Sequence, residues 1–338
     1  MSSNKVLVKR LLKGINKLSE NIKEDINIME VCGTHTRCIY EYGIPSLLPS
    51  NIRLLSGPGC PICVTPSSYI NSVESLFRQD IVLTSFHEVS NLKEFIKPVY
   101  SPFDALNLAK KTEKEVVFLG IGFEPTSTIA ALSLKKAKEL NVNNFSILSY
   151  FKTMPNVLEI VSKNNSIHGF ICPGHVGAII GNNIFNRISI KSERPMVMCG
   201  FEPMDILIGI HKVLKMISFK RHKCSNIYSR VVKKEGNKKA VELLNEVFEN
   251  DISNWRGFGE IKDSGYKLSK DYEKFNAFKK FSIKPILKEE KNTCICSEII
   301  QGKKSPKDCT NFNLNCNPKN PIGPCMLSNE GACRIWTL

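Results

Sequence analysis

The sequence predicts an α/β protein with parallel sheets, followed by a cysteine-rich C-terminal segment. From about residue 26 to residue 215, short apolar runs alternate with segments that have helical periodicity. Near-continuous apolar strands separated by helices are typical of parallel sheets that are covered on both faces. The last 45 residues contain six cysteines and four prolines, with little periodic pattern. A length of 338 residues allows two or three domains, so we expect two Rossmann-like α/β domains and a third, cysteine-rich domain.

The elements follow in order along the chain. Leu7, Leu11, Ile15 and Leu18 have helical spacing, which predicts an amphipathic N-terminal helix docked on a domain. The predicted strands are INIMEV, IRLLSG, DIVLTS, EVVFLGIG, FSILSY, IHGFIC and RPMVMCG. Helical segments between them are Ser68–Phe77, Asp104–Lys111, Thr128–Leu140 and Asn156–Lys163. A further helix is predicted at AVELLNEVFEN.

The pattern restarts at Glu115, which favours two sub-domains over one large sheet. We therefore predict three domains. Residues 1–114 hold the N-terminal helix and the first α/β domain, residues 115–215 the second α/β domain, and residues 216–338 the C-terminal domain. The C-terminal cysteine-rich segment cannot bury much apolar surface by itself, so it needs a metal or disulfides for stability.

Composition excludes several classes of protein. No run of 18 apolar residues is present, and lysines and an arginine interrupt the apolar residues of the N-terminus, so we expect neither a membrane span nor a signal peptide. The net charge of +15 comes from lysines mixed with glutamates, which is typical of a solvated surface more than of nucleic-acid binding. We expect a cytoplasmic protein, in which thirteen cysteines indicate redox or metal chemistry.

Chemically active side chains lie in loops that follow predicted strands. In open α/β sheets, ligands bind at the carboxyl ends of the strands. Five predicted strands end in such loops: Cys32–Thr36, Gly57–Cys63, Phe123–Ser127, Pro173–His175 and Phe201–Pro203. These loops should surround one crevice, or two that face each other.

The cysteines of the first two loops are candidate reactive groups. Cys32 precedes a predicted helix, whose N-terminus would favour a thiolate, and His35 would ligate a metal, relay a proton or fix that thiolate. The alternative is a buried strand-end cysteine beside a helix-capping threonine. Cys60 and Cys63 form a CxxC pair flanked by glycines, which suits a small disulfide or a clamp for a soft metal. Half of a structural zinc site is the alternative, but the chain has no second CxxC.

Glu124 and Glu202 occur in the twin phrase GFEP. Each glutamate either lies at the N-terminus of the following helix, with proline at an early helical position, or faces the thiols as a proton acceptor. His175, in PGHV, has the same two kinds of interpretation, structural and functional.

The C-terminal cysteines suit an iron–sulfur cluster. Zinc sites favour paired C-x₂₋₄-C units, and this segment has none. Thiolates drawn from a loop-rich segment can instead hold a cluster, which takes four of the six, and the other two could form a redox disulfide beside it. The six residues are Cys294, Cys296, Cys309, Cys316, Cys325 and Cys333.

The motifs together resemble one family. MEVCGTHT, GPGCPIC, GIGFE, CPGHV, GFEPMDIL and the closing run of DC, NC, NPIGPCM and EGAC, in this order across nearly the whole chain, resemble the HypD family of hydrogenase maturation factors. The resemblance implies a redox-active assembly scaffold, not a conventional turnover enzyme, on which the Fe(CN)₂CO unit of nickel–iron hydrogenases is built. It also implies α/β-type domains around a cleft and a 4Fe–4S cluster in the last domain. Implied partners are the small chaperone HypC, which shares the iron, and the cyanide-donating protein HypE.

The resemblance also implies roles for particular residues. The iron ligand falls on Cys32, next to His35, and the redox dithiol falls on Cys60 and Cys63. The cluster ligands fall on Cys296, Cys309, Cys316 and Cys333, with Cys325 or Cys294 as substitutes. This chain departs from the family pattern at Pro125, where threonine is usual, and in SYFKTMP, where a histidine is usual. A thiol–disulfide reductase that uses the cluster on a protein substrate is the alternative function.

Overall fold

The computed structural model describes residues 3–22, 24–283 and 293–338. It is a mixed α/β structure with two compact units. The first unit comprises Met1–Cys60, Val157–Asn237 and Cys294–Leu338, and the second comprises Pro61–Asn156 and Lys238–Thr293. Each unit therefore combines stretches that are far apart in the sequence.

The strands of the described residues are β1 (Ile26–Glu30), β2 (Ile52–Ser56), β3 (Ile81–Phe86), β4 (Lys97–Val99), β5 (Glu115–Gly120), β6 (Phe145–Ser149), β7 (Gly169–Cys172), β8 (Met196–Met198), β9 (Cys224–Asn226), β10 (Phe248–Trp255) and β11 (Gly259–Leu268). The helices are α1 (Ser3–Ile22), α2 (Gly33–Glu41), α3 (Pro61–Val64), α4 (Ser67–Ser72), α5 (His87–Ser90), α6 (Pro102–Ala109), α7 (Glu124–Glu139), α8 (Met154–Val161), α9 (Gly174–Ile180), α10 (Asn183–Ser192), α11 (Pro203–Ser218), α12 (Lys238–Val247), α13 (Ala277–Lys280), α14 (Cys296–Ile300), α15 (Pro324–Leu327) and α16 (Ala332–Ile335). Short 3₁₀ helices lie at Ile44–Leu47, Val73–Leu76, Lys270–Phe275 and Pro306–Asp308.

The first unit contains a five-stranded sheet in the order β2-β1-β7-β8-β9. All neighbouring strands are parallel, and Ile28 of β1 pairs with Leu54 on one side and with Gly169 on the other. The strand order changes direction between β1 and β7, because β2 lies on one side of β1 and the later strands lie on the other. In α/β sheets a ligand crevice forms at such a switch point, outside the carboxyl ends of the strands.

The predicted N-terminal helix is present and docks on the first unit. Ile15 of α1 is fully buried and belongs to the same apolar cluster as Ile210 and Leu214 of α11. Leu11 and Leu18 are partly buried against this cluster. Three of the four residues of the predicted apolar stripe therefore lie on the packed face of the helix, whereas Leu7 is exposed.

The second unit contains a four-stranded parallel sheet in the order β4-β3-β5-β6 and the antiparallel hairpin β10–β11. The sequence predicted a helix through Asn250, but α12 ends at Val247 and Phe248 begins a strand. The Phe248 ring stacks on Tyr266 and meets Phe151 edge-on. These tertiary contacts favour the extended backbone over the local helical pattern.

The predicted fold class is confirmed: all seven predicted strands exist, and the α/β strands form parallel sheets. Strands β1 and β2 pair within one sheet with β7 and β8, so segments that the sequence analysis assigned to successive domains share a sheet. The cysteine-rich C-terminal segment consists mostly of short turns and belongs to the first unit. Within the residues that the structure describes, no helix has the length and apolar character needed to cross a membrane.

Candidate functional site

Four of the five predicted loops lie at the carboxyl edge of the first unit's sheet. β1 leads into Cys32, β2 into Gly57–Cys60, β7 into Pro173–His175 and β8 into Cys199–Glu202. The fifth loop, with Glu124, follows β5 in the sheet of the second unit. From the sequence it was undecided whether these loops surround one crevice or two. The topology brings four of the five loops to a single crevice, at the carboxyl edge of the first unit's sheet.

Cys32 is the residue that precedes the first turn of α2, as predicted. Its backbone is extended, and its carbonyl accepts hydrogen bonds from the N–H groups of His35 at 2.9 Å and Thr36 at 3.1 Å. Gly59, in the loop after β2, lies so close that a Cβ would overlap the Cys32 backbone. Only glycine allows this approach, which brings the start of the CxxC loop to the Cys32 turn.

A buried carboxylate lies beneath this turn. Glu30, the last residue of β1, accepts a hydrogen bond from the Cys32 N–H at 3.0 Å, and the Thr36 hydroxyl donates to its other oxygen. Burial raises the pKa of Glu30 to about 7. Glu30 was not predicted from the sequence, although an acidic residue at the end of a mostly apolar strand is an unusual feature that could have signalled it.

The electrostatics of Cys32 differ from the expectation. The helix N-terminus was expected to favour a thiolate, but burial first, and then the charges of Glu330 and Glu30, raise the pKa of Cys32 to about 12. Only 8% of the residue is exposed, so loss of solvation outweighs the helix dipole. The prediction of a lowered pKa is therefore wrong for the free protein, in which Cys32 is a thiol. Ligation of a metal would displace its proton.

His35 is completely buried and lies on the same crevice. Its Nε2 is 2.9 Å from the Gly200 carbonyl oxygen, and its Nδ1 has no hydrogen-bond partner among the described residues. Burial lowers the pKa of His35 to about 4, although the carbonyl groups of Gly200 and Cys199 act in the opposite direction. The imidazole is thus neutral at physiological pH and does not stabilise a Cys32 thiolate by its charge.

The two GFEP glutamates have different surroundings. Glu202 is exposed at the start of α11 and makes no capping hydrogen bond with its side chain. Glu124 is buried in the second unit at the start of α7, where its Oε1 accepts the Met154 N–H at 2.9 Å and its Oε2 has no partner within the described structure. Burial raises the pKa of Glu124 to about 7. Among the described residues, neither carboxylate forms a hydrogen bond with a thiol of its own unit, although the charge of Glu202 acts on Cys38.

Cys60 and Cys63 are both buried and both disulfide-bonded. Cys60 follows the glycine that contacts the Cys32 turn, and Cys63 lies in the short helix α3. The predicted redox role of this pair requires that it also exist as a dithiol, which remains a prediction.

The six C-terminal cysteines line one small pocket of the first unit, together with apolar side chains. The lining residues are Cys294, Ile295, Cys296, Ile299, Cys309, Phe312, Cys316, Gly323, Cys325, Met326 and Cys333. Cys296 is joined to Cys325 in a disulfide. The cysteines that are not in disulfides in this pocket are Cys294, Cys309, Cys316 and Cys333.

These four cysteines outside disulfides fit a cluster site by several observations. Burial raises the pKa of Cys333 to about 12, and the charges of Cys294, Cys316 and Cys309 contribute in that order, so the four sulfurs lie near one another. A Cβ on Gly323 would overlap the Cys294 sulfur, so glycine leaves that thiol its space. The Ile322 N–H donates to the Cys316 sulfur at 3.3 Å, a type of contact that tunes iron–sulfur centres.

The sulfurs are nevertheless not arranged as a finished coordination shell. Across residues 3–22, 24–283 and 293–338, no group of three or more Cys, His, Asp or Glu side chains has metal-binding geometry. The four cysteines outside disulfides differ from the ligand set expected from the sequence by one residue, since Cys294 takes the place of the disulfide-bonded Cys296.

The C-terminal segment also contacts the Cys32 turn directly. Glu330 packs on Gly33, and its Oε1 accepts a hydrogen bond from the Thr34 hydroxyl at 3.5 Å. Trp336 stacks on Tyr40 of α2 with ring centroids 4.8 Å apart. Both contacts lie within the first unit, and neither contact was predicted from the sequence. The turn that carries Cys333 therefore lies beside the first turn of α2, the helix that follows Cys32.

These features define a class of protein: a parallel α/β protein whose strand-end crevice holds a buried thiol and an imidazole, with a pocket lined by six cysteines in the same unit. Comparison with known proteins agrees. The family model described as "Hydrogenase formation hypA family", named HypD, matches residues 6–338. The chain therefore belongs to the HypD family of hydrogenase maturation factors.

Several curated relatives cover nearly the whole chain. A putative hydrogenase expression/formation protein of Methanocaldococcus jannaschii is 38% identical, covering 99% of this chain and 97% of its own. The hydrogenase maturation factor HypD of Escherichia coli is 35% identical over 98% of this chain and 93% of its own. That of Cupriavidus necator is 33% identical, with coverages of 91% and 88%.

Proposed function

We propose that this protein is the scaffold on which the Fe(CN)₂CO unit of nickel–iron hydrogenase is assembled in the cytoplasm, in a complex with the chaperone HypC and with cyanide supplied by HypE. Family membership supports a role in hydrogenase maturation together with other maturation proteins. The observation that carries the finer proposal is the contact between the Cys32 turn and the turn that leads to Cys333. It brings a candidate ligand for cargo iron next to a candidate redox centre.

Cys32 is the proposed ligand of the cargo iron. A low-spin iron that carries cyanide and carbonyl requires soft donors such as a thiolate, and a site shielded from water. Cys32 meets both needs, since it is buried in the crevice of the parallel sheet. Because the pKa of Cys32 is about 12, metal binding would release the proton of this thiol. Glu30, whose pKa is about 7, accepts a hydrogen bond from the Cys32 N–H.

The dithiol form of Cys60 and Cys63 would supply the electrons for ligand attachment. Release of cyanide from a thiocyanate takes two electrons: the S–C bond breaks, the sulfur leaves as a thiol and the carbon leaves as hydrogen cyanide. Closing a dithiol to a disulfide provides the two electrons and the two protons that this step consumes. Gly59 brings the start of the CxxC loop against Cys32, where the product would bind.

The C-terminal pocket would hold the resident cluster. We propose Cys294, Cys309, Cys316 and Cys333 as its ligands, with Cys296–Cys325 as the neighbouring disulfide. When bound there, a 4Fe–4S cluster supplies one-electron redox chemistry. The apolar side chains of the pocket limit the access of water to Cys316 and Cys333, which are buried, and Gly323 keeps space for Cys294.

The decisive experiment is infrared spectroscopy on the complex with HypC, isolated without oxygen. We expect bands of iron-bound cyanide and carbonyl, and iron in excess of the cluster, in the wild type. Cys32→Ser should lose both and keep the cluster absorbance, because it removes only the cargo ligand. Cys38→Ala is the matched control, since Cys38 lies on the same helix within the apolar core, and it should keep the bands.

The alternative, a thiol–disulfide reductase, is favoured by the Cys296–Cys325 disulfide and by the disulfide-bonded state of Cys60 and Cys63. A reductase would turn over a protein disulfide without binding additional iron. Cyanide and carbonyl bands that persist in Cys32→Ser would show that the iron is held elsewhere, and a wild type with no bands but with disulfide turnover would favour the reductase.

A further inference from the structure

Three aromatic rings stack across three loops of the crevice. The Phe201 ring lies between two imidazoles, with its centroid 4.8 Å from that of His35 and 4.0 Å from that of His175. The interplanar angles are 29° and 22°, so both contacts are stacked. Tyr228 meets the same phenyl ring edge-on at 6.0 Å. The phenyl ring is therefore held on both faces and at its edge, and it fixes the plane of His35 in turn.

The carbonyl group of Gly200, the residue before Phe201, determines which nitrogen of His35 carries the proton. A carbonyl oxygen can only accept, so the contact of 2.9 Å to the Gly200 oxygen requires a hydrogen on Nε2. In the neutral ring, Nδ1 then has a free lone pair. Nδ1 is buried, and among the described residues it has no hydrogen-bond partner. A buried acceptor without a partner is costly and rare in folded proteins, which points to a ligand at this atom.

The loop that presents the Gly200 carbonyl is itself fixed by close packing. A Cβ on Gly200 would overlap the Asp205 carboxylate, which forms an ion pair with Arg230 at 3.0 Å. A Cβ on Gly174 would come within 2.6 Å of the Cys199 carbonyl oxygen. The backbone on both sides of the loop therefore has little freedom, and the acceptor for Nε2–H is preorganised.

We propose that Phe201 is a positioning residue: with the Gly200 carbonyl it holds His35 as the Nε2–H tautomer, so that Nδ1 is a second donor atom, beside Cys32, for the cargo metal. The identity of the ligand rests on the proposed function. Histidines that bind metals commonly donate their other ring N–H to a backbone carbonyl, which is the arrangement seen at Gly200. A thiolate and an imidazole three residues apart suit a borderline metal such as ferrous iron.

The tautomer can be measured directly, without iron or partner. In nitrogen-15 NMR of the full chain, the His35 signals, assigned by their loss in His35→Gln, should report a protonated Nε2 and an unprotonated Nδ1. Phe201→Ala should shift both signals towards a mixture of tautomers, and Phe201→Tyr, which keeps the stacked ring, should restore the wild-type pattern. Phe219→Ala, at the exposed C-terminal end of α11, is the matched control and should change nothing.

A protonated Nδ1 in the wild type would overturn the proposal, and so would wild-type signals in a folded Phe201→Ala variant. Since that variant could lose its fold, a second pair of variants tests the donor atom itself. Asparagine at position 35 places an oxygen near the position of Nδ1, whereas glutamine reaches the position of Nε2.

In the complex with HypC, His35→Asn should retain a larger share of the additional iron than His35→Gln, which should fall to the level of Cys32→Ser. Equal iron in the two His35 variants would contradict a role for Nδ1. If the wild type itself holds no additional iron, the proposed function fails, and the NMR pattern alone then decides whether Phe201 and Gly200 set the tautomer.

Discussion

Glu330 lies against Gly33 so closely that a Cβ at position 33 would come within 2.8 Å of the Glu330 carbonyl oxygen. The two residues are almost the length of the chain apart, yet they join the turn after β1 to the turn before Cys333. The same glutamate raises the pKa of Cys32 through its charge and contacts the Thr34 hydroxyl. The C-terminal segment therefore completes the Cys32 site of the first unit instead of only holding its own cysteines.

The first prediction concerns this contact. Gly33→Ala forces either the Glu330 backbone or α2 to move, and such overpacking typically costs about 1–3 kcal/mol. We expect a lower free energy of unfolding and faster alkylation of Cys32, because the C-terminal turn no longer covers it. Chemical denaturation and mass spectrometry of the labelled peptide measure the two effects.

Gly14→Ala is the control for that experiment. Gly14 also lies in a helix of the first unit, but there an added Cβ meets only ring atoms of the His211 side chain at 3.0 Å or more. Since alanine favours helix over glycine, we expect little loss or a small gain of stability. Equal stability loss in both variants would mean that the Gly33–Glu330 contact has no special role.

The second prediction separates the two candidate ligand sets of the cluster. Cys294→Ser should remove the cluster iron and its visible absorbance, because Cys294 is one of the four thiols that are free of disulfides in the pocket. Cys296→Ser should keep about four irons per chain, the number in a cubane. Iron analysis and absorbance spectra of anaerobically isolated protein measure the difference. If Cys296→Ser bleaches the protein and Cys294→Ser does not, the ligand set first inferred from the sequence is correct.

The strands and the reactive cysteines could be predicted because their signals are local. A short segment rich in apolar residues, such as β1, β3 or β5, predicts a strand from its own composition. The position of Cys32 before a helix follows in the same way from the glycine and threonines after it. The hairpin β10–β11 was not predicted, because its strands are largely polar and carry no such signal.

Strand pairing and the environment of Cys32 could not be predicted, because both depend on contacts between distant residues. The pairing of Ile28 with Gly169 joins parts of the chain that the sequence analysis assigned to different domains. The helix N-terminus next to Cys32 is a local feature, but the burial and the Glu330 charge that reverse its effect on the pKa are tertiary features. The unpartnered Nδ1 of His35 likewise becomes visible only when the Gly200 carbonyl is in place.

The third prediction is a pH dependence of stability caused by Glu124. Burial raises the pKa of this carboxyl from 4.5 to about 7, so its contribution to stability is fully present below about pH 4.5 and is lost as the pH rises through about 7. A shift of this size corresponds to a loss of the order of 3 kcal/mol above pH 7. Glu124→Gln cannot ionise, so its stability relative to the wild type should increase across this range.

The measurement must report on the second unit, to which Glu124 belongs. Trp255 is fully buried there, and its fluorescence follows unfolding once Trp336 is replaced by Phe. Glu139→Gln, at the exposed C-terminal end of the same helix, is the control and should not alter the pH profile. If the difference in unfolding free energy between Glu124→Gln and the wild type stays constant from pH 4.5 to pH 8, the Glu124 carboxyl ionises normally.

The fourth prediction concerns the protonation of Cys32 in the free protein. With a pKa of about 12, only about one thiol in ten thousand is ionised at pH 8. Since the thiolate is the nucleophile, the alkylation rate of Cys32 should rise about tenfold per pH unit between pH 7 and pH 10, with no plateau. Glu330→Gln removes a negative charge next to the thiol, lowers its pKa and should therefore raise the rate at each pH. Glu298→Gln, which alters a surface ion pair with Lys304 in the same cysteine-rich segment, should leave the rate unchanged. A rate that levels off below pH 9 would mean that the N-terminus of α2 outweighs burial and that Cys32 is the stabilised thiolate the sequence suggested.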